Sequence, residues 1–387
     1  MPSTARPRRI LMTADTVGGV WVYALELARA LAPHGVEVAI ATMGAPLRPA
    51  QWAAARRLPN LTVHESDFRL EWMESPWADV ARAGTWLMEL EERIRPDLVH
   101  LNGYAHGALP WHAPTLVVGH SCVLSWWRAV RGEDAPPAWQ RYREAVARGL
   151  RAADRVAAPT RAMLAALEWH YGPLPAARVL PNGRAAAEFA PQPKASYIFA
   201  AGRLWDEAKN IGALARVAPQ LPWPVWVAGD TRHPDGGESE IGAVRALGRL
   251  DQAALAGWLG RAAIYALPAR YEPFGLSVLE AGLAGCALVL GDIPSLRELW
   301  DGAACFVDPQ DPDALGAALT ALCRDEGRRA RLAATARARA LGFGRERMAA
   351  AYLDAYGELL NERAALLGAM ERLPAAGLSD CAPGPMH

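Results

Sequence analysis

The chain has 387 residues, of which 52% are hydrophobic and 21% charged, and 41 basic side chains balance 41 acidic ones. This length exceeds the about 250–300 residues that one hydrophobic core usually serves, so the sequence predicts two well-packed domains. The zero net charge gives no electrostatic case for nucleic acid as a main partner, and the composition argues against long disordered regions.

Short apolar runs, each followed by a segment of helical periodicity, recur along the chain. The predicted strands of the first half are Arg9–Ala14, Glu37–Thr42, Leu61–Glu65, Asp97–Asn102, Thr115–His120 and Arg155–Pro159. Those of the second half are Ser196–Gly202, Pro224–Gly229, Ala243–Leu247, Ala263–Leu267, Ala287–Gly291 and Ala304–Val307. Because alternating strands and helices form parallel sheets covered on both faces, the pattern predicts an α/β protein with two doubly wound, Rossmann-like domains.

Turn residues and prolines interrupt this pattern between Pro181 and Lys194, which we interpret as the domain boundary. We predict an N-terminal domain at residues 1–185, a C-terminal domain at 186–360 and a tail at 361–387. The last helices can pack back on the first domain.

After Pro312 the sequence predicts helices to about Arg363 and a frayed end over Ala375–His387. The arginine-rich stretch Arg324–Arg347 fits a solvated helix face, with a patch for an anionic membrane surface as the alternative. Asp311 precedes a predicted helix and is interpreted as its cap rather than as a metal ligand.

Five scattered cysteines without a Cys-x-x-Cys pair argue against a disulfide framework and against a zinc site. The N-terminus lacks a signal-peptide pattern, and the chain lacks the run of about 20 apolar residues that a membrane span needs. We therefore expect a soluble cytoplasmic protein with no metal site.

Two glutamates, Glu272 and Glu280, flank a predicted helix start. Pro273 biases Glu272 away from the α conformation, so Glu272 should lie on a loop and the helix should begin near Gly275 or Leu276. The positive end of that helix attracts phosphate, while the carboxylates suit sugar and ribose hydroxyls. We expect Glu280 to be an exposed cleft carboxylate. A capped helix with an incidental glutamate is the alternative.

Gly18 and Gly19 follow the first strand and lead into a predicted helix, Trp21–Leu31. Paired glycines let a ligand approach the backbone closely and leave N–H groups for an anion. The spacing is not the Gly-x-Gly-x-x-Gly of a dinucleotide-binding fold.

Arg203 and Lys209 follow the first strand of the second half, where they could bind a diphosphate without a metal. The alternative is that both cations pair with Asp206 and Glu207.

His120 ends a predicted strand, where it is either a cleft residue or a buried, hydrogen-bonded core residue. Trp126 and Trp127 follow it and either stack on a sugar ring or pack between the domains.

These motifs occur in the order Gly18-Gly19, Pro181-Asn182-Gly183, Gly202-Arg203 with Lys209, and Glu272 with Glu280. Over about residues 9–360 the chain resembles the retaining glycosyltransferases of family 4. The resemblance implies the GT-B architecture, in which two Rossmann-like domains face each other across a cleft.

The resemblance also implies roles for single residues. Glu272 would bind hydroxyls of the donated sugar and Glu280 the ribose. Arg203 and Lys209 would bind the diphosphate, with help from the backbone of one segment, Phe274-Gly275-Leu276.

On the facing side, the resemblance places His120 beside the 6-hydroxyl of the transferred sugar. Gly18 and Gly19 would close over the reaction centre, and Leu250 would contact the base. Asn210 departs from the family, in which a glycine often follows the lysine, and this puts the shape of the local turn in question.

The activity implied is transfer of a hexosyl unit, with retention and without metal or cofactor, from a UDP- or GDP-sugar to an unidentified acceptor hydroxyl. The acceptor would lie near loops Ser66–Pro76 and Leu124–Trp139, and peripheral membrane contact is compatible with the sequence. Three alternatives stay open, namely a nucleotide-sugar epimerase, a phosphorylase-like enzyme with a pyridoxal lysine, and a non-catalytic nucleotide-sugar sensor.

Overall fold

The structure is a computed structural model that describes residues 5–233, 235–237 and 241–371. The strands are β1 (Arg9–Asp15), β2 (Glu37–Met43), β3 (Leu61–His64), β4 (Leu98–Leu101), β5 (Thr115–Val118), β6 (Arg155–Ala158), β7 (Arg178–Val179), β8 (Ala195–Ala201), β9 (Val225–Ala228), β10 (Arg245–Ala246), β11 (Ala262–Leu267), β12 (Ala287–Gly291) and β13 (Cys305–Val307).

The helices alternate with these strands as the sequence predicts. They are α1 (Gly19–Leu31), α2 (Pro49–Ala55), α3 (Trp77–Ile94), α4 (Val123–Arg131), α5 (Gln140–Ala152), α6 (Arg161–Tyr171), α7 (Ile211–Val217), α8 (Gln252–Arg261), α9 (Leu276–Leu283), α10 (Pro294–Trp300), α11 (Pro312–Arg324), α12 (Glu326–Ala340) and α13 (Arg345–Glu371). The frayed end predicted for Ala375–His387 lies outside the described residues.

Two parallel sheets organise the fold. The N-terminal sheet has the order β3-β2-β1-β4-β5-β6-β7, and the C-terminal sheet has the order β10-β9-β8-β11-β12-β13. In each sheet the order reverses beside the first strand, between β1 and β4 and between β8 and β11, and ligands bind at such switch points. The two Rossmann-like units predicted from the sequence are confirmed.

Burial on both faces explains why the strands were visible as apolar runs. The central strands β4, β5, β6 and β12 are buried throughout, and each sheet has apolar clusters on both of its faces. The two-residue strand β7 was missed, because two half-buried residues are too few to form a pattern.

The last helix returns to the N-terminal sheet. In α13, Met348, Tyr352 and Tyr356 are buried in the same cluster as β1 and α1. The chain reaches this position beside the segment Asn182–Arg184, where a Cβ on Gly183 would lie 2.5 Å from the backbone oxygen of Gly344. Only glycine permits that approach. Division of the chain at residues 185 and 360 stays a prediction.

Three further predictions concern the Asp311 cap, the arginine-rich helix α12 and contact with a membrane. The Asp311 carboxylate accepts a hydrogen bond from Ala314 N, which confirms its role as a helix cap. Arg328 and Arg331 on α12 are exposed, whereas Arg329 lies over the Trp223 ring, so α12 presents a largely solvated face. Peripheral membrane contact stays a prediction. No helix in the described part of the chain has the length and apolar character that a bilayer crossing requires.

Candidate active site

A cleft of about 740 Å³ lies between the carboxyl ends of the two sheets. All the side chains and backbone positions predicted for the site line it. They are Gly18, Gly19, His120, Arg203, Lys209, Leu250, Glu272, Phe274, Gly275, Leu276 and Glu280. Residues far apart in the sequence therefore meet at one place, as parallel strands ending at facing edges require.

Lys209 and Glu272 form the centre of the C-terminal wall. Lys209 Nζ donates a hydrogen bond to Glu272 Oε2 at 2.6 Å, and Glu272 Oε1 accepts one from Gly275 N at 2.9 Å. Gly275 has a φ of 84° and caps α9, which begins at Leu276 as predicted. The carboxylate is thereby fixed beside a helix N-terminus that attracts anions.

Arg203 lies across from the paired glycines. A Cβ on Gly18 would be 3.3 Å from Arg203 Nη1, so this guanidinium reaches across the cleft to the backbone of the N-terminal region. Its Nη2 donates to Asp206 Oδ2 at 2.8 Å. The alternative, pairing with neighbouring carboxylates, therefore holds for Arg203 but not for Lys209, which pairs with Glu272 while Glu207 pairs with Arg131.

Asp206 joins the two walls. Its Oδ1 accepts a hydrogen bond from Trp126 Nε1 at 3.0 Å, so Trp126 serves as an interdomain contact. Burial alone would raise the pKa of Asp206, but the charges of Arg203 and Lys209 and the Trp126 hydrogen bond hold it below its usual value. Asp206 therefore stays ionised and orients Arg203.

Asn210 resolves the question raised by the missing glycine. It adopts a left-handed conformation with a φ of 57°, which asparagine tolerates better than most residues. Its Nδ2 donates to the carbonyls of Pro268 and Pro309, at 2.9 and 2.7 Å. The turn after Lys209 is held in place without glycine.

Glu280 is not the exposed carboxylate that we expected. It is only 5% exposed, and Glu280 Oε1 lies 3.0 Å from Arg184 Nε. The correction has a physical cause, since α9 is short and apolar and packs its second turn into the core. Burial raises the pKa of Glu280, and the Arg184 charge opposes that rise.

His120 is both a cleft residue and a hydrogen-bonded one. Its Nε2 is 2.8 Å from Asn102 Oδ1, and its ring lies 4.4 Å from that of Tyr23. Because Asn102 Nδ2 donates to Thr13 O, the Asn102 oxygen faces His120 and His120 Nε2 carries the proton. Burial lowers the pKa of His120 to about 3, so the imidazole is neutral at physiological pH.

Several residues of the site were not predicted as such. The two close ion-pair partners of Arg184, Glu26 and Glu280, lie more than 90 positions away, so no local pattern could reveal its place in the site. Asn182 was noted only as part of a motif, yet it lines the cleft and its buried Oδ1 lacks a hydrogen-bond partner in the described chain. Asp15 also lines the cleft, and burial raises its pKa while Val17 N and Arg203 oppose the rise.

The wall formed by the N-terminal region is aromatic. Trp72, Trp127 and Trp139 line the cleft and are each partly exposed. Trp72 comes from the expected loop Ser66–Pro76. The second expected loop, Leu124–Trp139, is largely helical, because Trp127 lies on α4 and Trp139 ends a short 3-10 turn. No group of three or more metal-ligating side chains occurs within the described ranges.

Comparison with known families divides the chain into two segments. Residues 17–187 match the family described as Glycosyltransferase Family 4, and residues 195–325 match the family described as Glycosyl transferases group 1. The first segment begins just after β1 and covers β2 to β7, and the second covers β8 to β13.

Individual proteins show the same similarity. A D-inositol 3-phosphate glycosyltransferase from Kineococcus radiotolerans is 29% identical, over 92% of this chain and 94% of its own length. A protein of the same name from Xylanimonas cellulosilytica is 42% identical over 113 residues, which are 29% of this chain and 27% of that protein. The Anabaena protein HepE, solved in complex with UDP-glucose, superposes with a TM-score of 0.69 at 17% identity, covering 92% of this chain and 99% of HepE.

Proposed function

Because this chain belongs to glycosyltransferase family 4, we propose that it transfers a hexosyl unit from a UDP- or GDP-sugar to an acceptor hydroxyl. The observation that carries the proposal is the group made by Arg203, Lys209 and Glu272 at the N-terminus of α9. Two cations and a helix N-terminus suit a diphosphate, and the carboxylate suits a sugar hydroxyl. The structure of HepE with UDP-glucose supports this class of substrate.

The chemistry of the step depends on the leaving group. Cleavage of the bond between the sugar and the diphosphate places negative charge on the departing phosphate oxygen. Arg203, Lys209 and the first N–H groups of α9 are fixed before reaction, so they stabilise that charge without reorganising. Their positive charge takes the place of a metal ion in this proposal.

We further propose that the sugar is transferred with retention and without a nucleophile from the protein. In this arrangement the departing phosphate accepts the proton of the acceptor hydroxyl, which arrives on the same face of the sugar. Gly18 and Gly19 supply no side-chain base there. The neutral His120 donates its Nε2 proton to Asn102, so its Nδ1 can accept a hydrogen bond but the ring does not supply a charge.

The test is release of nucleoside diphosphate from a panel of UDP- and GDP-sugars, with and without candidate acceptors, in EDTA. Proton NMR of the product gives the anomeric configuration. The proposal expects acceptor-dependent release and a product with the configuration of the donor sugar. A product with inverted anomeric configuration would refute retention. Formation of an epimerised nucleotide sugar without acceptor would show that the protein is an epimerase and would refute transfer.

A further inference from the structure

Arg184 connects three parts of the protein at the edge of the cleft. Its guanidinium is 3% exposed, its Nη1 donates to Glu26 Oε2 at 2.8 Å, and its Nε lies 3.0 Å from Glu280 Oε1. The flat group also lies 4.9 Å from the centre of the Phe189 ring. Glu26 belongs to α1, Glu280 to α9 and Arg184 to the segment between the two sheets.

The backbone around Arg184 is fixed as firmly as its side chain. Arg184 N donates to Phe343 O at 3.0 Å, and Gly183 contacts Gly344 at the entry to α13. The position of the guanidinium is therefore set by the crossing of two chain segments. It is not free to adjust when a ligand arrives.

The charges around Glu280 balance only when Arg184 is included. The cluster holds three carboxylates, Glu26, Glu188 and Glu280, and three guanidinium groups, Arg29, Arg184 and Arg345. Glu26 and Glu188 both act to raise the pKa of Glu280, and the buried phenol of Tyr265 also lies near it. Among the described residues, Arg184 is the guanidinium in direct contact with Glu280.

One carboxylate oxygen of Glu280 is therefore paired with Arg184, and the other is free to bind a ligand. Oε1 forms an ion pair with Arg184 Nε at 3.0 Å that is not aligned as a hydrogen bond, whereas Oε2 makes no hydrogen bond or ion pair to a described residue. Glu280 lines the cleft beside the cations that would hold the diphosphate. An ionised carboxylate with one oriented free oxygen is a strong acceptor for a hydroxyl.

We propose that Arg184 is a positioning residue for the nucleotide half of the donor, which keeps Glu280 ionised and directs its second oxygen to a ribose hydroxyl. This inference rests on the proposed function, since it takes a nucleoside diphosphate as the ligand. Arg184 does not itself touch the ribose. It acts through Glu280.

The experiment compares nucleotides with and without ribose hydroxyls. UDP, GDP and their 2′,3′-dideoxy counterparts are titrated calorimetrically into wild type and Arg184→Met at pH 8 and pH 6. A charge-assisted hydrogen bond should make wild type bind the normal nucleotide about 10- to 100-fold more tightly than its dideoxy counterpart, at both pH values. In Arg184→Met the Glu280 pKa should rise, because burial and two like charges then act unopposed. Its discrimination should fall towards 1 at pH 6 and recover at pH 8.

Two further variants keep the result interpretable. Arg184→Lys restores one positive charge and should restore discrimination at pH 6. Arg184→Met combined with Glu26→Gln removes one charge of each sign, so the charges of the cluster stay balanced. This double variant should therefore fold even if Arg184→Met is too unstable to fold. Its loss of discrimination should begin at a lower pH than in Arg184→Met. Circular dichroism checks each fold.

The outcomes separate the two proposals. If Arg184→Met, or the balanced double variant, weakens normal and dideoxy nucleotides by the same factor at both pH values, Arg184 has only a structural role and this inference is wrong. If wild type binds no nucleotide, or binds normal and dideoxy nucleotides equally well, the proposed donor site itself is wrong. The inference about Arg184, which depends on that site, is then wrong as well.

Discussion

Replacement of Lys209 by methionine tests the cation nearest the centre of the site. Methionine keeps the unbranched shape and removes the ammonium, which donates to Glu272 at 2.6 Å. The side chains of Lys209 and Glu272 are 11% and 13% exposed, so the pair is largely shielded from water. If the ammonium also stabilises the departing diphosphate, its loss should lower kcat by about 10²- to 10³-fold, the usual cost of one fixed stabilising group.

The same change also affects stability. Breaking a buried ion pair costs about 3–5 kcal/mol, and we expect the lower end because Gly275 N still holds one oxygen of Glu272. Adding Glu272→Gln removes the uncompensated charge and should recover melting temperature but not turnover. Lys194→Met is the matched control, since Lys194 Nζ donates to Gly260 O and Ala284 O.

The assay is the initial rate of nucleoside diphosphate release at saturating sugar nucleotide and acceptor, beside the melting temperature of each variant. The reasoning is wrong if Lys209→Met keeps kcat within about threefold of wild type, well below the expected loss, while its melting temperature falls. Lys209 would then serve only as the partner of Glu272.

Glu280→Gln should raise the KM for the sugar nucleotide more than it changes kcat, because the ribose is remote from the bond that breaks; an unchanged KM would refute the ribose assignment. Activity should survive EDTA, since Arg203 and Lys209 carry the charge, and strict dependence on added magnesium or manganese would count against this. Stability should fall as the pH drops below about 6.5, because His100 and His120 are buried with pKa values of about 3 and the unfolded chain binds protons first. Each histidine contributes up to about 1.4 kcal/mol per pH unit, and urea unfolding that gives equal stability at pH 7.5 and 5.5 would contradict the assignment.

The sequence predicted those parts of the site that depend on local pattern. Glu272, Gly275 and the start of α9 followed from one proline and one helix boundary. Arg203 and Lys209 followed from the end of a strand. Their convergence in one cleft followed from the rule that parallel strands end at the same edge.

What could not be predicted depends on long-range packing. The burial of Glu280 and its contact with Arg184 depend on the packing of α1, α9 and the entry to α13 against one another. A pattern within one of these segments cannot predict that packing. The pairing of Lys209 with Glu272 rather than Glu207 likewise depends on the fold of a loop 63 positions away. The neighbouring carboxylates that the sequence offered as alternative partners do not form the ion pair of Lys209.

The central claim is that the diphosphate of the donor lies against Lys209, and the sequence permits a direct measurement. The chain has two lysines, Lys194 and Lys209. Both can be methylated reductively and quantified by mass spectrometry, with and without a saturating sugar nucleotide that the enzyme turns over. The account predicts strong protection of Lys209 and no change at Lys194. Equal modification of Lys209 in the two samples, with binding verified by calorimetry, would contradict it.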